Sequence, residues 1–278
     1  MRKTKIIITV SIIIIFALCA NFLLKKAYVV PILMYHSINT VCHPGLEKLT
    51  VKPDTFDRQM NFLKSQGYNV VSLEKLVAMI KDKRNIPWRT VAITFDDGYA
   101  DVYRYAFPIL KKYNLPATAF IIIDEVGRSE GDRLSWEQIR QMQRSGIFSI
   151  GSHAFGHEPL INIDKPEELQ RQIVVSKKFL EEKLGQEVEL FSYPEGFFNA
   201  KIVDLVKQAG YLGAVATNPG RKYPNNDVFI LKRIRISETA RNMVVFAIKT
   251  SGFYTFIKET RKNWRNVRMS WTIDRREK

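Results

Sequence analysis

The chain has 278 residues, 46% of them apolar and 12% aromatic, which suits one large domain with a sizeable core and excludes a disordered protein. Lys and Arg number 43 against 28 Asp and Glu, a net charge of +15, so the surface suits anionic surroundings such as lipid headgroups, envelope polymers or nucleic acid. No zinc-finger spacing, RNP-like motif or basic-aromatic array accompanies that charge, and nucleic acid is set aside as a partner.

The first predicted element is apolar. Residues 6–24 lie between MRKTK and Lys25-Lys26, long enough to span a bilayer core and longer than the apolar part of most secretory signals. Small residues around "FALCAN" are imperfectly placed for cleavage, and Leu18 before Cys19 argues against lipoprotein processing. The expectation is an uncleaved anchor over residues 1–28, with a removed signal as the alternative. More positive charge precedes the span than follows it, which keeps the N-terminus inside and the rest of the chain outside the cytoplasm. The two cysteines, Cys19 in the span and Cys42 beyond it, form no intradomain disulfide.

Beyond the anchor, apolar runs alternate with helical patterns. Strands are predicted at 29–36, 68–73, 90–95, 116–123, 146–153, 188–194, 211–217 and 228–236. Helices are predicted at 53–67, from 74 to about 83, at 99–114 with a kink at Pro108, and at 135–145, 166–184 and 199–209. Repeated strand–helix–strand units mean parallel strands with helical crossovers, and a barrel-like α/β closure over 29–249 follows, with functional residues at the C-terminal strand ends. An amphipathic segment at 238–249 and a basic tail over 250–278 complete the chain. That tail carries interspersed aromatics, and two readings stay open for it: a helix on an anionic membrane, or a solvated helix on the barrel.

Two stretches carry chemistry. "TFDDGY" ends an apolar strand on adjacent carboxylates, Asp96 and Asp97, and "GSHAFGH" holds two of the four histidines, His153 and His157. An i, i+4 histidine pair places two imidazoles on one face of a helical turn, near enough for one metal ion. Two His and one carboxylate leave coordination positions open, the pattern of a catalytic metal, and the second Asp then remains to take a proton. Capping of the helix near Tyr99 is the plainer account of Asp97, but it leaves Asp96 and the histidines unexplained.

Together "TFDDGY", "GSHAFGH" and "FSYPEG" resemble the polysaccharide deacetylase family, the NodB-like carbohydrate esterases, over about residues 31–236. The resemblance implies a distorted (β/α) barrel with Asp96 as general base. It implies Asp97, His153 and His157 as ligands of one divalent metal ion, with Zn2+ the default. The reaction it implies is removal of N-acetyl, less often O-acetyl, groups from a sugar polymer, with the metal activating water and stabilising the oxyanion. The third motif, Tyr193, Pro194 and Glu195, is the implied substrate-binding segment.

Three departures from the family pattern stand out. Ser192 occupies the place of an arginine that orients the base, Glu195 that of an aromatic residue, and Arg233 that of a late histidine that protonates the leaving amine. "LMYHSI" resembles the subgroup that acts on extracellular poly-glucosamine, in which a first-strand histidine lies in the active site. His36 is therefore the expected acid, with Glu195 the runner-up, and Arg233 supplies the charge absent at 192. His43 is expected to have no catalytic part. A membrane-anchored N-deacetylase is the leading reading. A catalytically impaired sugar-binding protein on the same fold is the alternative, and an iron-oxygenase triad is disfavoured by the strand–helix alternation.

Overall fold

The computed structural model describes residues 28–41, 47–128, 132–217, 227–255 and 257–258. The expected anchor up to residue 27, Cys19, Cys42 and His43, as well as most of the basic tail, lie outside the described residues. No helix among the described residues is long and apolar enough to cross a membrane. Residues 30–251 form one compact unit; a second contains Tyr28, Val29 and the described residues from Gly252 onward. Within the second, Val29 N–H donates to the Gly252 carbonyl at 2.8 Å and Tyr28 packs edge-on against Phe253.

The larger unit is a nearly closed barrel of parallel strands. Its staves are β1 (Ile32–Tyr35), β5 (Thr90–Phe95), β6 (Ala117–Ile121), β7 (Phe148–Ser152), β8 (Leu190–Ser192), β9 (Gly213–Ala216) and the two short strands β10 (Leu231–Lys232) and β11 (Ile234–Arg235). Apart from Ser149 in β7, Lys232 in β10 and Arg235 in β11, their residues are buried. Continuous burial of runs such as TVAITF is what strands covered on both faces require. Strand β4 (Asn69–Val70) pairs with the start of β5. A separate pair, β2 (Ser37–Ile38) with β3 (Thr50–Val51), is absent from the sequence expectation.

The helices are α1 (Pro53–Ser65), α2 (Leu73–Lys81), α3 (Phe107–Tyr113), α4 (Trp136–Arg144), α5 (Pro166–Gln170), α6 (Ser176–Leu184), α7 (Ala200–Gln208) and α8 (Met243–Thr250). Caps written in the sequence start several of them: Ser72 for α2, Asn199 for α7, and a reciprocal Ser135–Gln138 capping box for α4. The kink expected at Pro108 takes the form of a wide π-type turn, Val102–Ala106, closed by Phe107 N–H on the Val102 carbonyl. Proline cannot donate back along the helix, and the wider turn absorbs the missing bond. A second such turn, Arg171–Val175, divides the helix expected at 166–184 into α5 and α6.

The last stave, expected as one strand over 228–236, is broken at Arg233. Leu231 and Lys232 pair with β9, whereas Ile234 and Arg235 pair with β1. Arg233 is thus the residue at which the chain leaves one edge of the sheet and closes on the other, with its N–H on the Ala216 carbonyl at 3.1 Å. Inside the wall, a Cβ on Gly151 would lie 2.5 Å from the ring of the fully buried Phe120 on the neighbouring strand. Only glycine allows that ring to lie against β7. Gly151→Ala is expected to destabilise the fold by roughly 1–3 kcal/mol through overpacking, read as a lower denaturation midpoint in urea.

Candidate functional site

His36, Asp96 and His153 each follow the last residue of a stave, Ser192 ends β8, and Arg233 follows β10. Parallel strands bring all of these to one mouth. The expectation that chemistry gathers at strand C-termini is met there.

Asp96 and Arg233 form the centre of the cluster. Arg233 donates from Nη1 to Asp96 Oδ1 and from Nη2 to Oδ2, both at 2.6 Å, with its side chain inaccessible to solvent. Nη2 also donates to Ser192 Oγ at 3.0 Å and Nη1 to Thr94 Oγ1 at 3.3 Å, while the guanidinium lies 5.5 Å from the Phe120 ring centre. Burial by itself would raise the Asp96 pKa, but the Arg233 charge, His153 and the paired hydrogen bonds outweigh it and hold the carboxyl below its ordinary value. Serine at 192 is short enough to leave the space that Arg233 fills from across the barrel.

Ser192 has a second task. Its carbonyl lies 2.8 Å from His153 Nδ1, and a carbonyl only accepts, so that nitrogen carries the proton. In the neutral ring Nε2 is then bare, and it faces Asp97 Oδ1 at 3.4 Å and Asp96 Oδ2 at 3.9 Å. A lone pair directed at two carboxylates is repulsive unless a cation lies between them. A proton meets that need, and burial, which opposes it, is overcome by Asp96 and Asp97, so the His153 pKa is raised. A divalent metal meets it equally, and an imidazole nitrogen with a carboxylate is the donor set zinc takes.

Asp97 reaches this position at a conformational cost. Its φ is +69° and Gly98 follows at +67°, and a non-glycine residue in the left-handed region costs on the order of 1–3 kcal/mol. The turn swings the second carboxylate away from Asp96 toward His153. Its pKa is lowered: burial opposes ionisation, but the hydrogen bond with His153 and the charges of His36, His153 and His157 prevail.

The histidine pair is arranged differently from the helical turn expected of it. His153 ends an extended strand, Ala154 turns the chain with φ +68°, and His157 stands exposed on a bend. His157 acts electrostatically on Asp97, but among the described residues no three His, Cys, Asp or Glu side chains close into one metal cluster. The bend is held by Gln172, whose side-chain oxygen accepts from Phe155 N–H at 3.0 Å and Gly156 N–H at 2.8 Å. Gln172 lies in the second π-type turn and is fixed in turn by Glu168 at 2.7 Å.

His36 lies in the same electrostatic neighbourhood as Asp97, Asp96, Arg233 and His153. Burial lowers its pKa, with Asp97 and Asp96 partly restoring it. His36 Nδ1 is buried with no hydrogen-bond partner among the described residues. In the third motif, Tyr193 is fully buried with its hydroxyl on the Phe229 carbonyl at 2.9 Å, and Pro194 is buried. Glu195 is exposed at φ +55°.

The residues that sequence reasoning passed over are Ser192 as a double acceptor, Phe120 beneath Arg233, and Gln172. Because Arg233 and Asp96 are buried as a pair, losing one partner leaves an uncompensated charge. Arg233→Met is expected to cost roughly 3–5 kcal/mol, with part recovered in the Asp96→Asn double variant. Denaturant unfolding of the three proteins checks both.

The chain matches the family model described as polysaccharide deacetylase over residues 83–214. It is 33% identical over 213 residues to the Bacillus subtilis protein YxkH, named for the same family, covering 77% of this chain and 73% of that one. It is 27% identical over 205 residues to a Staphylococcus aureus poly-β-1,6-N-acetyl-D-glucosamine N-deacetylase, 70% of each chain. Among solved structures, the Streptococcus pyogenes deacetylase PplD, in complex with acetate, superposes with a TM-score of 0.70 at 31% identity, covering 78% of this chain and 97% of that one. Likeness of this extent, over most of both chains and to proteins of one activity, makes the chain a member of the polysaccharide deacetylase family, a hydrolase of carbon–nitrogen bonds other than peptide bonds.

Proposed function

We propose that the protein is a metal-dependent N-deacetylase of an extracytoplasmic polysaccharide, held to the cell membrane by residues 6–24 with its barrel outside. The observation that carries the catalytic part is His153 Nε2 facing Asp97 Oδ1 at 3.4 Å beside an Asp96 clamped by Arg233. Asp97 and His153 would hold the ion, with His157 as the third ligand and zinc as the metal. Such an ion supplies Lewis acidity toward an acetyl carbonyl and water. An acetylated glucosamine polymer fits as substrate, on the likeness to the staphylococcal N-deacetylase.

The remaining roles belong to the chain's own groups. Arg233 keeps Asp96 ionised and oriented, so that its unused lone pairs can take a proton from the attacking water. Ser192 holds His153 in the tautomer that leaves Nε2 bare. His36 delivers a proton to the departing amine. Burial keeps its pKa low, so the resting ring is mainly neutral at pH 7 and the proton it delivers is gained during turnover. Glu195, exposed at the turn after β8, is placed to meet the polymer rather than the acetyl group.

Full-length protein in detergent should release acetate from acetylated glucosamine polymers, and a chelator should stop it. Asp96→Asn is expected to cut turnover by roughly 10²-fold or more while the bound metal stays near one per chain. Loss of metal in that variant would exchange the roles of the two aspartates, and glycan binding without acetate release would favour the sugar-binding reading. Localisation has its own check: the protein should stay with membranes after alkaline carbonate extraction, and release in soluble form would replace anchoring with secretion.

A further inference from the structure

His36 and His153 are held in place by different means. The His153 ring is tied by its own hydrogen bond to Ser192. The His36 ring has a buried Nδ1 with no partner, so its direction depends on the backbone on either side of it. On the N-terminal side that backbone is β1, tied to the aspartate strand through Asp96 N–H and the Tyr35 carbonyl at 3.0 Å. On the C-terminal side it is β2, paired with β3 through Ser37 N–H on the Leu49 carbonyl at 3.3 Å and Asn39 N–H on the Val51 carbonyl at 3.1 Å, and fastened further by one side chain, Asp101.

Asp101 is buried, and both its oxygens are occupied by the three residues that directly follow His36. Ser37 Oγ donates to Oδ2 at 2.6 Å, Ile38 N–H to Oδ1 at 3.0 Å and Asn39 Nδ2 to Oδ2 at 3.4 Å. Charge-assisted bonds of this kind are stronger than neutral ones, and a buried carboxylate is a costly way to fasten a loop that needs no fixed geometry. Asp101 also stands five residues after Asp96, at the start of the first π-type turn. One short segment therefore carries Asp96 and Asp97 at the mouth and fastens the residues that follow His36 on the neighbouring stave.

We propose that Asp101 is a positioning residue for His36, fixing the direction of an imidazole whose buried Nδ1 has no hydrogen-bond partner among the described residues. The inference rests on His36 being the proton donor, and a double-mutant cycle on the full-length enzyme separates the two claims. Asp101→Ala should lower kcat at least about tenfold with KM and bound zinc near wild-type values. Asp101→Asn, which keeps one acceptor for Ile38 N–H, should recover part of that loss. In a His36→Ala background, adding Asp101→Ala should change kcat by less than about twofold. Ser37→Ala is the milder companion should Asp101→Ala fold poorly; it deletes the 2.6 Å bond alone and should cause a smaller loss that likewise vanishes without His36. If His36→Ala keeps full activity, the donor assignment fails, and the inference with it. If His36→Ala is slow but the Asp101 or Ser37 variant costs the same factor in both backgrounds, the donor stands and the positioning role is overturned.

Discussion

The bidentate pair between Arg233 and Asp96 is the constraint on which the rest of the site depends. It joins the stave that closes the barrel to the strand that carries the aspartates, because Arg233 is where the final segment passes from β9 to β1. A buried ion pair contributes little net stability compared with well-packed apolar groups, but it tolerates only one geometry. The residue at which the barrel closes is thereby also the one that holds the Asp96 carboxyl below its ordinary pKa. The pair is supported in layers: Ser192 and Thr94 accept the remaining Nη protons, Phe120 lies across the guanidinium, and Gly151 leaves room for Phe120.

Family resemblance places an arginine in the motif where this chain has Ser192. The positive charge is retained but approaches from the opposite side of the barrel. The exchange keeps the electrostatics at Asp96 and frees residue 192 to hold His153 through its carbonyl while its hydroxyl steadies Arg233. Serine thus couples the Arg233–Asp96 pair to the histidine that faces Asp97. An arginine side chain at 192 would compete with Arg233 for the same buried space.

The loops that carry His36 and His157 are fastened by a common device. Asp101 at the edge of one π-type turn accepts from the residues after His36, and Gln172 within the other accepts from the residues before His157. A π-type turn interrupts the regular helical ladder and changes the direction of the side chains around it, which is why such turns recur at functional sites. Strain at Asp97 belongs to the same economy: a left-handed residue at the end of β5 points two neighbouring carboxylates to different partners.

Much of this was legible in the residues alone. Alternating apolar runs and helical patterns determine a parallel barrel, because strands buried on both faces need helices over them. The same pattern puts Asp96, His153 and His36 at strand ends, and hence at one mouth. What the sequence could not express is direction and pairing across long separations. Nothing near "FSYPEG" shows that Tyr193 points into the core and that Ser192 serves two partners. The spacing of His153 and His157 is the same on a helix as on a bend, and only the strand ending at Ser152 with the turn at Ala154 decided between them. The Asp96–Arg233 contact spans 137 residues, and its two ends meet only because the barrel closes at Arg233. The tertiary structure decided these points because each depends on a side chain from another stave filling or leaving a buried space.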